Sequence, residues 1–313
     1  MIASVIIEYS VKSLDKVFDY IVPDDLSDTI LVGHKVIVPF ASKEVEGFVL
    51  KLHSNKDSNI DYKSIIKIVD SEFYLNDELL KLGKYMKDIL LCNLISTYQV
   101  MLPKALKASF KTNINKKYET KVYLNKEVDI NKYILEHKRN RKEIELINLL
   151  KDDSILKSKI NCSSLKNLID NSIVLEEKYE INREVEYIEE ESKSIILNDE
   201  QNNAIKEIEC SKDQKYLLYG VTGSGKTEVY IKLIEDTIKK GKTCILLVPE
   251  ISLTPQIVSR FKSVFSSSVA VLHSSLSEGE KYDEYRKIMR GEVSIVVGAR
   301  SAIFAPLTNI GLI

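Results

Sequence analysis

Residues Tyr216 to Thr227 read YLLYGVTGSGKT, and Gly220, Gly225, Lys226 and Thr227 stand at the spacing G-x-x-x-x-G-K-[ST]. That spacing suits a chain of phosphates. Small residues, here Thr222, Gly223 and Ser224, let the backbone curl until successive N–H groups face inward at the positive end of the following helix. Lys226 then neutralises charge on the β- and γ-phosphates, and the Thr227 hydroxyl becomes a Mg²⁺ ligand. ATP and Mg²⁺ are the implied ligands. Lys226 and Thr227 are the candidate catalytic residues, and Glu228 completes the set expected to line the nucleotide.

A phosphate loop of this kind works between a strand and a helix. Residues 215–219 read as the strand, and Val229, Tyr230, Leu233, Ile234 and Ile238 recur at helical spacing until Gly241 ends the helix. Further strands are expected at 244–248, 269–272, 293–297 and 310–313, with helices between the first four strands. Thr254 before Pro255 has the form of a helix start, and Ser277 with Glu280 has capping-box spacing. The expected fold is α/β and multidomain, its carboxy-terminal part a doubly wound parallel sheet with ligands at the carboxyl ends of the strands.

With 313 residues the chain has room for two or three domains, and its formal net charge of -1 argues against a wholesale polyanion binder. Charge is nevertheless uneven. Residues 104–142 carry twelve Lys/Arg against four Asp/Glu, while residues 176–200 carry ten acids against three bases. The basic patch suits nucleic-acid phosphate or, equally, a solvated face. Cys92, Cys162, Cys210 and Cys244 stand singly, which indicates neither zinc ligands nor a disulfide framework. With no apolar run of about eighteen residues and no basic-then-apolar leader, a cytoplasmic protein without a membrane span is expected.

The first 70 residues alternate like short strands, at 4–9, 17–22, 36–40, 45–52 and 65–69, with Pro23, Gly33 and Pro39 at turns and edges. A small β-barrel or sandwich is expected. Within it Phe18, Asp19 and Tyr20 set a carboxylate between two rings. The rings fill the core, or they stack a base while the carboxylate accepts from a sugar hydroxyl or base edge. Leu79, Leu80, Leu82, Tyr85, Met86, Ile89 and Leu90 trace one helical face, read as packing. Beyond the basic patch, Ile144, Leu146, Ile147, Leu149 and Leu150 mark one helix, and Ser163 opens another through Leu165, Leu168 and Ile169. Strands at 173–177 and 184–188 would follow as a wing. This describes a winged helix, which reads a DNA groove or docks a protein. Domains are therefore expected at 1–105 (β-rich), 112–190 (winged helix with an acidic linker) and 195–313 (nucleotide-binding lobe).

LNDEQNNAI (197–205), GVTGSGKTEVY (220–230), LLVPEISLTPQ (246–256), LHSSLSEGEKYDEY (272–285) and VVGARSAIFAPLTNIGLI (296–313) stand in an order that resembles the PriA family of primosomal replication-restart helicases. FDYIVP (18–23) and VIVPF (36–40) extend the resemblance over nearly the whole chain. It implies a RecA-like first helicase lobe behind a 3′-end-binding domain, in an ATP-dependent helicase of 3′ to 5′ polarity. The implied partners are forked DNA with a 3′ end, single-stranded-DNA-binding protein, and primosome or helicase-loading proteins. By the same resemblance Gln201 lies where related helicases read adenine, Phe18, Asp19, Tyr20 and Lys63 form the 3′-end pocket, and Arg300 meets DNA. The family has glycine after VPF where this chain has Ala41, a methyl group that would crowd a close backbone approach.

In that family the strand corresponding to Gly311, Leu312 and Ile313 runs on into Asp-Glu-Glu-His, then a second motor lobe and a zinc module. The chain is accordingly expected to be the amino-terminal part of a longer protein, with zinc only in the remainder. The alternative is a fork-binding module with a nucleotide site and no turnover. Because translocation needs two lobes that close and reopen, the purified 313-residue chain is expected to show no appreciable DNA-stimulated phosphate release. Release that Lys226→Ala abolishes would overturn the expectation.

Overall fold

A computed structural model describes residues 1–55, 61–109, 116–151, 153–160, 164–183, 196–211, 215–249 and 255–313. The chain divides into two compact units, Met1–Ile114 with Glu184–Ile313, and Asn115–Arg183.

The first unit opens with the five strands expected, where β-branched residues alternate: β1 (Ile2–Ile7), β2 (Val17–Ile21), β3 (Lys35–Phe40), β4 (Lys43–His53) and β5 (Lys67–Ile68). They form one antiparallel sheet in the order β2-β1-β4-β3-β5. Its ends approach each other, since the Ile21 N–H donates to the Lys63 carbonyl at 2.9 Å and the Ile65 N–H to the Ile21 carbonyl at 2.9 Å. The sheet thereby curls toward a barrel. Ala3, Val5, Ile7, Val36, Val38, Val45 and Tyr20 pack inside it, while Ile6 and Phe48 belong to a different core on the outer face.

Two helices cover that outer face. Asn76 caps α1 (Asp77–Leu90) by accepting the Leu79 N–H at 2.9 Å, and α2 (Leu94–Met101) packs against it. Gly83 permits the contact, because a Cβ there would lie 2.3 Å from the Tyr98 ring. The helical stripe read as packing is used only in part: Leu79 and Leu80 are buried, whereas Tyr85, Ile89 and Leu90 are exposed. The short α2 covers only the side of α1 that carries Gly83.

The Asn115–Arg183 unit holds β6 (Lys117–Leu124), α3 (Ile130–Glu136), α4 (Arg141–Leu149), β7 (Ile155–Leu156), α5 (Ser164–Asp170) and β8 (Val174–Ile181). Its sheet runs β7-β6-β8 over a core of Val122, Leu146, Ile147, Leu165, Leu168 and Val174. The strand expected at 173–177 pairs with β6, which precedes the helices. Lysines interrupt the apolar alternation of β6 and hide it in the sequence. Ser163 and the strand expected at 184–188 lie outside the described residues.

Back in the first unit come α6 (Asp199–Cys210), α7 (Lys226–Lys239), β9 (Thr243–Leu247), α8 (Pro255–Phe265), β10 (Val269–Leu272), α9 (Glu278–Met289), β11 (Ile295–Gly298) and β12 (Ile310–Leu312). The four strands form a parallel sheet in the order β10-β11-β9-β12. Residues of α7 and α8 cover one face with Cys244, Val271, Ile295 and Val297. Gly241, at φ 71°, closes α7 while the Lys242 N–H reaches the Thr237 carbonyl at 3.3 Å. The Ser277–Glu280 capping box forms as expected, and Thr254 lies outside the described residues.

One expected strand is missing from the sheet. Residues 216–219 form no ladder, and Leu217 and Tyr219 are 90% and 92% exposed. A strand needs main-chain partners. The sheet ends at β12, a strand of 3 residues with Gly311 at its centre, paired with β9 on one edge.

The other face of the parallel sheet shares a single core with α1, α2 and the outer face of the antiparallel sheet. Polar contacts fasten this joint. The Tyr282 hydroxyl donates to Asp70 Oδ2 at 2.6 Å, and Arg286 Nη2 and Arg290 Nη2 donate to Glu72 Oε2 at 2.9 and 2.7 Å. The side chain of Arg286 is 1% exposed. Burial and the Asp70 carboxylate push the Tyr282 phenol upward, so it remains a donor throughout the neutral range. Residues 282 and 286 of α9 and its C-cap Arg290 follow one another at four-residue spacing along one face. Glu72→Ala should lower stability by about 2 kcal/mol in urea unfolding, less than for a fully buried pair because Glu72 is partly exposed. Tyr282→Phe should cost about 1 kcal/mol.

Candidate functional site

The phosphate loop gets its shape from two glycines. Gly223 and Gly225 have φ values of 81° and 79°, a region that residues with a Cβ rarely occupy, and Gly225 is the N-cap of α7. Lys226 then turns back into the curl, where its Nζ donates to the Gly220 carbonyl at 2.7 Å and the Val221 carbonyl at 2.9 Å. Phosphate oxygens form stronger charge-assisted bonds than these neutral carbonyls. An ammonium held by exchangeable carbonyls inside the loop, beside the positive end of α7, fits the phosphates of ATP. Thr227 follows on the first turn of α7, where its hydroxyl suits Mg²⁺. Thr222 and Ser224 are exposed on the loop, and Glu228 lies 3.8 Å from Arg260.

Gln201 meets the loop from α6. Its Oε1 accepts the Asn198 N–H at 2.9 Å as half of a capping box, and its Nε2 donates to the carbonyls of Ser224 at 3.1 Å and Gly225 at 3.4 Å. The side chain therefore opens the helix and ties it to the phosphate loop at once. Arg300 stands exposed at the start of the 3₁₀ turn Arg300–Phe304 that follows β11, on the same edge of the sheet to which strand ends deliver ligands.

The FDY residues separate. Alternation along β2 sends Phe18 and Tyr20 into the barrel and Asp19 to the opposite face. Tyr20 is 4% exposed, and burial pushes its phenol upward. Phe18 is half-buried and meets Phe40 edge-on at 5.1 Å between centroids, with Tyr9 6.0 Å beyond Phe40 and Lys16 Nζ 5.5 Å from the Phe18 centroid. Lys63 Nζ donates to the Ala41 carbonyl at 3.4 Å. One corner of the barrel thus gathers Phe18, Phe40, Ala41 and Lys63. Tyr20 sits beneath in the core, and Asp19 bonds to Ser4 across the sheet. Sequence reasoning missed Phe40, Tyr9 and Lys16. The alternation of Val38 and Phe40 was the available signal, for it puts Phe40 on the same inner face as Phe18.

Ala41 opens the two-residue turn between β3 and β4, and its φ is 52°. Primed hairpin turns demand positive φ at this position. The turn by itself therefore favours a glycine at position 41.

Two stretches of the chain match models of known protein families. Residues 4–103 match the family model described as 3′DNA-binding domain (3′BD), and residues 198–312 match that of the DEAD/DEAH box helicase. Replication restart protein PriA of Bacillus subtilis is 35% identical over 99% of this chain and 48% of its own length. The protein of that name from Chlamydia trachomatis is 33% identical over 96% of this chain and 42% of its own length. That from Synechocystis is 58% identical over 31% of this chain and 12% of its own length. The chain spans about half the length of the curated relatives it matches. Among the described residues no helix is long and apolar enough to cross a membrane.

Two substitutions check the local geometry. Ala41→Gly should raise stability by about 0.5–1 kcal/mol in thermal or urea unfolding, since it relieves a left-handed alanine. Gly225→Ala should weaken nucleotide binding in a fluorescent-ATP titration about tenfold, because the positive φ of this position strains a residue with a Cβ by roughly 1–2 kcal/mol.

Proposed function

Because the chain belongs to the PriA family of replication restart proteins, with a helicase domain behind a 3′ DNA-binding domain, we propose that the intact protein is an ATP-driven DNA helicase of 3′ to 5′ polarity. It finds stalled forks by the 3′ end of a nascent strand and prepares them for primosome assembly, with single-stranded-DNA-binding protein and helicase-loading proteins as partners. Residues 1–105 bind the terminus, 112–190 form a winged helix, and 195–313 form the first motor lobe.

What chiefly supports this is the Lys226 ammonium, turned into the phosphate loop and held there by two carbonyls. ATP bound there supplies the free energy of phosphoryl transfer, with Mg²⁺ offsetting its charge. Lys226 would hold the β- and γ-phosphates in place of its carbonyls, the Thr227 hydroxyl would hold Mg²⁺, and Gln201 would offer its amide to adenine. At the other site β2 lies at the end of the sheet order. A terminal nucleotide laid over that edge has the Phe18–Phe40 corner on one side for its base and Asp19 on the other for its hydroxyl. Lys63 meets the last phosphate, Tyr20 supports the corner from below, and Arg300 contacts the strand that the motor tracks.

A second reading, a fork-binding module without turnover, is favoured for this span of chain by residues 216–219, whose exposure leaves the phosphate loop without a paired strand before it. Two measurements test the main proposal. MgATP at a hundred times its Kd should stabilise the chain by about 2.7 kcal/mol, an effect lost in Lys226→Ala, and a primer–template with a recessed 3′-hydroxyl should bind more tightly than a blunt duplex. Failure of both overturns it. In the intact protein, Lys226→Ala should abolish DNA-stimulated ATP hydrolysis; its persistence assigns turnover to another site.

A further inference from the structure

Asp19 is not a lone surface carboxylate. Ser4 lies directly opposite it in the β1–β2 register, and on the other side of β1 the strand β4 places His53 opposite Ile2, diagonal to Ser4. Ser4 Oγ donates to Asp19 Oδ1 at 2.6 Å, and His53 Nε2 lies 3.3 Å from Ser4 Oγ and 3.8 Å from Asp19 Oδ1. Three strands contribute to this cluster, and Ser4 is only 7% exposed.

Polarity fixes the direction of the chain. An ionised carboxylate only accepts, so the Ser4 hydroxyl spends its single proton on Asp19. The serine can then take part with His53 only as an acceptor, which assigns the proton to His53 Nε2. The order is imidazole, hydroxyl, carboxylate. A nucleophilic triad places the imidazole between the other two groups so that it can deprotonate the serine; here the serine stands in the middle, and nothing activates it. What the arrangement does is hold the carboxylate. Oδ1 is engaged from within the sheet, while among the described residues Oδ2 has no partner and the Asp19 side chain is 36% exposed.

We propose that Ser4 and His53 are positioning residues for terminus recognition, locking Asp19 so that Oδ2 faces outward as the acceptor for a terminal 3′-hydroxyl. The inference rests on the reading of Asp19 as the group that meets that hydroxyl. A carboxylate already fixed in one rotamer loses little freedom on binding. A terminal phosphate at the same place meets like charge at short range. The device therefore selects an extendable end over a blocked one.

The test uses the full chain and two primer–template junctions, one ending in a recessed 3′-hydroxyl and the other in a 3′-phosphate, with affinities from fluorescence anisotropy at fixed salt. The wild type should prefer the hydroxyl. Ser4→Ala should cut that preference about three- to tenfold, the range of a weakened charge-assisted bond. Ser4→Thr, which keeps the hydroxyl, should restore it, and His53→Ala should cut it about two- to threefold on the same scale. Thermal melting of each variant identifies loss of fold. Should Ser4→Ala not fold, His53→Ala and the retained preference of Ser4→Thr decide the matter. Asp19→Asn separates the two levels. If it erases the preference while Ser4→Ala and His53→Ala keep it, the positioning role is overturned and the reading of Asp19 stands. If Asp19→Asn keeps the preference, the reading of Asp19 fails and the inference falls with it.

Discussion

The carboxylate of Glu72, gripped by Arg286 and Arg290 from one face of α9, is the contact on which the larger unit depends. An arginine buried as deeply as Arg286 is tolerated only where an opposite charge is held beside it with good geometry. Tyr282 reaching Asp70 and Tyr285 reaching the Met101 carbonyl extend that grip along the helix. The result is one apolar core running from the antiparallel sheet through α1 and α2 to the parallel sheet. The Phe18–Phe40 corner and the phosphate loop belong to the same compact unit.

The phosphate loop shows how local and non-local requirements part company. Its curl needs only Gly223 and Gly225 at positive φ, Lys226 folding back, and Gln201 pinning the rim. All of these lie within reach of two helix starts. The strand expected ahead of the loop has a different requirement, a neighbour with which to form a ladder, and residues 216–219 form none. The loop consequently keeps its shape while its support stays exposed.

The Phe18–Phe40 corner follows from strand alternation on a curled sheet. Period two puts Phe18 and Tyr20 together and sets Asp19 apart, so one tripeptide serves two faces. Phe40, Lys63 and Ala41 join because the β3–β4 hairpin and the segment after β4 meet at that corner, and the tight hairpin explains why its first turn residue is held at positive φ.

Sequence alone was sufficient where structure is set by near neighbours. The five front strands, the phosphate loop, the capping box at Ser277 and the helix stop at Gly241 are legible because each is determined by residues within a few positions, through alternation, caps and glycine φ. The fold class followed from the order of those elements. Tertiary structure alone decided the rest. It buried Tyr20 and separated it from Asp19, paired β8 with the lysine-interrupted β6, left Tyr85, Ile89 and Leu90 exposed, and kept 216–219 out of the sheet. It also brought Glu72 to Arg286 and Ser4 with His53 to Asp19. These outcomes depend on which strand or helix arrives from far along the chain to supply a ladder, a counter-charge or a covering face, and no local pattern of residues carries that information.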